Sequence, residues 1–152
     1  MAHATLPVCL GLAGLIPFVA ASIGAALLPD VFQPVAFYAA TVYAVAILSF
    51  LGGVHWGLGV ADGRRWRFLW AVTPSLIAFF AMFAPKPLAL YALTGGFALA
   101  GVVDVLIFRR DGPAWYAGLR AGLTIVVCGC LLFLAARADA WRVDPFGVVI
   151  NG

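Results

Sequence analysis

Apolar residues run almost unbroken along this chain, and polar positions fall between the runs as short punctuation. The runs cover about residues 7–28, 34–60, 67–84, 88–108 and 114–136, followed by a mixed tail over 137–152. Each is close to the roughly 18–20 apolar residues that carry a helix across the hydrocarbon core. The pattern predicts an all-α polytopic membrane protein, with five transmembrane helices packed as one bundle in a single domain. Pro29-Asp30 stops the first run, and the turn around Ala61-Asp62-Gly63-Arg64 stops the second. Pro85-Lys86-Pro87 is so short that runs three and four must form an antiparallel hairpin. Arg109 to Pro113 ends the fourth. Pro17 is expected to bend the first helix. Thr73-Pro74-Ser75 is expected to interrupt the third, with hydroxyls taking up the carbonyl the proline frees. The first run is longer than a signal peptide's apolar region and is read as a retained helix, with a cleaved signal as the alternative. The tail, with Trp141 and an apolar patch over Phe146–Ile150, is expected to lie along the interface.

Composition removes the soluble alternative. Of 152 residues, 65% are hydrophobic and 10% charged, with no glutamate and one lysine; that is too little polar surface to cover a water-soluble domain. The formal charge of +3 does not point to nucleic acid, because the basic residues cluster at the ends of apolar runs. With five spans, Arg64, Arg65, Arg67, Arg109, Arg110 and Arg120 fall on one side, and Lys86, Arg137 and Arg142 on the other. Six against three places the arginine-rich loops and the N terminus inside. Cys9, Cys128 and Cys130 all sit within apolar runs, without the spacing of a zinc or dithiol site, and read as small buried side chains.

The second run holds the stretch Leu48 to Gly59, in which a histidine, a tryptophan, a serine and four glycines interrupt the apolar residues. Ser49, Gly53 and Gly57 recur every fourth residue and predict a close-packing face. Gly96, between Ala92 and Ala100, and the pair Gly118 and Gly122 predict two more. On this reading Gly53→Leu disrupts packing more than Leu51→Ala does.

Helix register brings the polar residues to one level. His55 lies about five residues before its run ends, roughly 8 Å inside at 1.5 Å per residue. Asp104 lies as far before Arg109, Arg120 a few residues into the last run, and Thr73-Pro74-Ser75 a comparable distance into the third. Lone charges at such depth are costly, so Asp104 is expected to pair with Arg120. His55 would join that pair or bond Thr124, one turn after Arg120. The candidate ligand-binding or polar cluster is therefore His55, Asp104, Arg120 and Thr124, with Trp56, Trp115 and Tyr116. The alternative is structural: Arg120 snorkels to headgroups, Asp104 neutralises the arginines after it, and His55 is ordinary packing. No catalytic residue stands out, since neither Ser49 nor Ser75 has an activating neighbour. A single intramembrane histidine cannot supply two axial ligands to haem, and no metal site or cofactor is implied.

Three blocks of residues carry a resemblance: Leu10-Gly11-Leu12-Ala13-Gly14-Leu15-Ile16-Pro17-Phe18; Phe50-Leu51-Gly52-Gly53-Val54-His55-Trp56-Gly57; and Pro113-Ala114-Trp115-Tyr116-Ala117-Gly118-Leu119-Arg120 with Leu123-Thr124. To about Ala136 the chain resembles the family of bacterial and mitochondrial inner-membrane proteins of unknown function typified by transmembrane protein 69. The resemblance implies a multi-helix protein of the bacterial inner membrane, or of the mitochondrial inner membrane in a eukaryote. It brings no reaction, cofactor or substrate with it. Short loops leave no room for an extramembrane catalytic site, which points to a non-catalytic accessory or assembly subunit, or a binder of lipid or quinone. Its partners would be membrane lipids and either another membrane complex or further copies of itself. Two alternatives stay open: an oligomeric small-solute or proton transporter, and an intramembrane enzyme or redox protein using His55.

Overall fold

A computed structural model describes residues 5–140 of the chain as a bundle of helices. In chain order these are α1 (Thr5–Ala13), α2 (Ile16–Leu27), a 3₁₀ turn (Asp30–Phe32), α3 (Gln33–Asp62), α4 (Arg65–Ala81), α5 (Lys86–Asp111) and α6 (Ala114–Ala140). There is no strand among the described residues. Among the described residues, four stretches are long and apolar enough to cross a membrane: Thr5–Leu27, Gln33–Asp62, Pro87–Arg110 and Trp115–Ala138. The protein is thus an all-α polytopic membrane protein. The fifth rod, α4, has 17 residues and opens on Arg65-Trp66-Arg67.

The helix ends follow local chemistry. Pro34 and Pro87 lie in the first turns of α3 and α5, where a missing N–H costs nothing. Gly63 closes α3 in the left-handed region at φ 70°, its N–H bonded to the Gly59 carbonyl. The first span is broken between α1 and α2, a larger effect than the expected bend. Pro17 removes one bond of the ladder and crowds the carbonyl four residues back. The Tyr43 hydroxyl donates to the Gly14 carbonyl at this break, at 3.1 Å. α4 ends at Ala81, earlier than the expected Ala84. The N–H groups of Met82, Phe83 and Ala84 drop to the carbonyls three residues back, a tightening ahead of Pro85. The expected interruption at Pro74 is absent: α4 continues through it. α6 continues past the expected Ala136 to Ala140, and Arg137, read as tail, lies within it. Its Nη2 donates to the Ala25 carbonyl at 2.9 Å, satisfying a backbone group in the last turn of α2. The interfacial tail expected from Trp141 onward lies outside the described residues.

α5 and α6 pack along their lengths, as do α3 and α4, while α2 lies across α3 and α6. The core is built from Phe18, Phe37, Leu48, Leu90, Leu93, Phe97, Leu131 and Leu134, with alanines between them. Phe18 stacks at a tilt on Tyr43 and edge-on to Phe97, with ring centres 5.1 and 5.9 Å away. The outer faces are as apolar as the core: Phe50, Val60, Leu69, Phe83 and Ile125 are all exposed. In lipid that carries no penalty.

Which glycines pack is the main correction to the expected contact faces. A Cβ at Gly53, Gly57, Gly118 or Gly122 would meet nothing within 4 Å among the described residues, and all four are exposed. Ser49, on the same stripe, is half-buried. The tight approach on α3 belongs instead to Gly52, where a Cβ would run into the Ala71 carbonyl of α4, and to Gly59, against Arg67 and Phe68. Gly96 does pack: a Cβ there would lie 2.7 Å from Leu48 and 3.0 Å from Ile77. Gly101, outside the expected stripes, seats Thr124 of α6. Four-residue spacing marks a smooth face equally well whether it meets a helix or the hydrocarbon.

Candidate functional site

Three helices converge on one carboxylate. Asp104 continues the Ala92, Gly96, Ala100 stripe of α5, which turns inward, so Asp104 is only 4% exposed. From α3, His55 Nε2 lies 2.6 Å from Asp104 Oδ1. From α6, Arg120 Nε donates to Asp104 Oδ2 at 2.6 Å, and Nη2 sits 2.6 Å from the same oxygen without good hydrogen-bond alignment. His55 is 1% and Arg120 7% exposed. The carboxylate therefore accepts on both oxygens. Its contact with His55 requires the ring proton on Nε2, while Nδ1 is buried with no hydrogen-bond partner among the described residues.

The other sequence-selected residues divide. Thr124 does not bond His55; it packs against Gly101 and lines a cavity beside Arg120, because Asp104 occupies the histidine's one paired nitrogen. Tyr116, half-buried, lies one turn before Arg120 with Phe108 4.5 Å and Trp115 5.6 Å from its ring centre. Trp115 and Trp56 are exposed, and Trp56 rests edge-on against Phe68. Thr73 and Pro74 do not join the trio. The Thr73 hydroxyl donates to Leu69 within its own helix, and Pro74 packs against Gly52.

Two residues near the site were missed. Trp70 presents its ring edge-on to His55, centres 6.3 Å apart. Arg67, taken for a loop charge, is 3% exposed, and its Nε lies 2.8 Å from Asp62. The signal was available: Arg67, Ala71, Pro74, Ala78 and Ala81 fall on one helical face, and that face is the buried one.

A cavity of about 440 Å³ opens beside the trio, between α1, α2, α3, α5 and α6. Its volume is within the range of roughly 300–1,000 Å³ common for small-molecule sites. Arg120, Tyr116 and Thr124 supply polar side chains to it, and Arg120 is the one charged residue in its lining among the described residues. Leu10, Phe18, Phe50, Phe97, Leu123 and Val127 are among the apolar remainder. His55 and Asp104 are not in the lining; they stand behind Arg120. No three His, Cys, Asp or Glu side chains gather as a metal site among the described residues. The arrangement can offer hydrogen-bond donors along the α6 wall of an apolar slot.

Comparison with known proteins adds a family and a curated relative. The model of a family described as "protein of unknown function (DUF3429)" matches residues 4–136. The chain is similar to transmembrane protein 69 of Xenopus tropicalis, 35% identical over 127 residues, which is 77% of this chain and 48% of that protein. It thus spans about half the length of that curated relative. No solved structure matches.

Proposed function

We propose, for a chain that belongs to the DUF3429 family of proteins of unknown function, that it is a non-catalytic membrane protein which holds a lipid-soluble molecule in the cavity beside Arg120. The observation that carries this reading is an apolar slot with a buried, ion-paired arginine in its wall. Structural ion pairs have no need of an adjoining cavity. A ligand with an apolar body and one polar end fits both features, the usual form of a small-molecule site. His55 and Asp104 act as supports, fixing the guanidinium so that its remaining N–H groups stay directed.

In this reading α4 crosses the bilayer with the other four rods. Residues 63–64 and 112–113 lie on the inner face with Arg64, Arg65, Arg109 and Arg110. The host membrane is the bacterial inner membrane, or the mitochondrial inner membrane in a eukaryote. The partners are membrane lipids, and the role is that of an accessory or assembly subunit presenting its ligand to a neighbouring complex or to another copy.

The test is extraction of the full chain in mild detergent, followed by mass spectrometry of whatever small amphiphile travels with it. Near-stoichiometric ligand is expected, lost in Leu123→Trp, which fills the slot, while helical circular dichroism stays unchanged. An extract without such a molecule would sink the reading. Proteoliposome flux dependent on His55 or Asp104 would replace it with the transporter alternative.

A further inference from the structure

Resting on the cavity's being a ligand site, we infer that the ligand's polar end is a neutral carbonyl acceptor on a long apolar chain, as in a quinone or an acyl ester, and not an anionic head. An arginine in the wall of a slot ordinarily suggests a carboxylate or phosphate. Here its charge is already balanced. Nε and Nη2 both lie 2.6 Å from Asp104 Oδ2, and Asp104 is buried behind the arginine, outside the cavity lining.

The third member does not face the ligand. His55 directs Nε2 to Asp104 and, like Asp104, stands outside the cavity lining. The Arg120–Asp104 pair at the cavity wall holds one positive and one negative charge, and its sum is zero. An anion entering the slot would lose its water and face a neutral pair, with a carboxylate close behind it. The desolvation cost would not be recovered.

A carbonyl loses little on leaving water and can accept from what remains. The guanidinium has five N–H donors, of which the Asp104 hydrogen bond engages the one on Nε. Tyr116 and Thr124, one turn to either side of Arg120 on α6, add hydroxyl-bearing side chains to the lining. Such a site discriminates strongly, because a ligand without an acceptor leaves these donors unpaired. The slot follows α6 from Tyr116 toward Val127, eleven residues or about 16 Å of helix rise, with Phe18 and Phe97 in its lining. That shape suits one chain.

The experiment measures binding to the full chain in phosphatidylcholine nanodiscs, counted above a Leu123→Trp control. Three probes are used: methyl laurate (an ester carbonyl), dodecanesulfonate (a permanent anion with a similar chain) and decylubiquinone (a quinone carbonyl). At least one neutral carbonyl probe is expected to bind roughly tenfold tighter than the sulfonate. Which one does so separates an ester-type ligand from a quinone. Asp104→Asn uncovers the charge of Arg120 and is expected to reverse the order in favour of the sulfonate. Tyr116→Phe, which leaves all charges in place, should weaken the carbonyl probe about threefold or more and leave the sulfonate unchanged. If Asp104→Asn does not fold, the Tyr116→Phe comparison decides. Tighter sulfonate binding by the unaltered protein, or a carbonyl-to-sulfonate affinity ratio unmoved in Asp104→Asn and in Tyr116→Phe, overturns the inference while leaving the cavity a binding site. No probe bound above the Leu123→Trp control overturns both this inference and the reading beneath it.

Discussion

At the scale of the residue, Asp104 organises the site, because each of its oxygens serves a different helix. Asp104→Ala leaves Arg120 buried without a counter-charge, and a cost of about 3 kcal/mol is expected from the loss of one member of a buried pair. Arg120→Leu in the same chain should recover part of it, since the uncompensated charge goes too. Unfolding midpoints for the two single variants and the double variant check this. Strict additivity would mean that the 2.6 Å contact contributes no coupling. The membership of this trio was legible in the amino-acid sequence. His55, Asp104 and Arg120 could be placed at one depth by counting residues from the helix ends, and lipid disfavours leaving such groups alone. Who touches whom was not legible. Thr124 and Asp104 lie at comparable depth, and the rotation of each helix, which depth cannot supply, decides which of them His55 meets.

At the scale of the element, small residues and prolines set how closely the rods approach. Gly52 sits where α3 meets the backbone of α4 at Ala71, whereas Gly53, one residue on, faces outward. Gly52→Ala is therefore expected to cost about 2 kcal/mol by overpacking. Gly53→Ala should be neutral, or stabilising by up to about 1 kcal/mol through helix propensity. Thermal unfolding in one detergent compares the two, and equal destabilisation would mean that both faces are packed. Tyr43 offers a second test, because its hydroxyl caps the break in the first span at Gly14. Tyr43→Phe should lose about 1 kcal/mol, and hydrogen exchange should rise around residues 13–18 more than elsewhere. A uniform change along the chain would instead implicate the ring packing of Tyr43 on Phe18.

For the whole molecule, the distribution of arginines is the expected determinant of orientation. A cysteine placed at Gly63 should react with a membrane-impermeant reagent from the inner side, and one at Ala84 from the outer side, in a background lacking Cys9, Cys128 and Cys130. The reverse pattern would invert the assignment and place the trio in the other leaflet. Labelling at both positions from one side would mean that α4 does not cross.

The sequence alone determined the solvent, the class of fold and the level of the polar residues. All three follow from quantities that add along the chain: apolar run length, charge at the run ends, and rise per residue from a helix terminus. Tertiary structure alone decided which face of each helix turns inward. In water, polar and apolar stripes announce that choice. In lipid both faces are apolar, so Gly52 and Gly53 read alike until α4 is in place. The same holds for the cavity. A void beside Arg120 is a property of five helices meeting imperfectly, and no local pattern in any one of them encodes it.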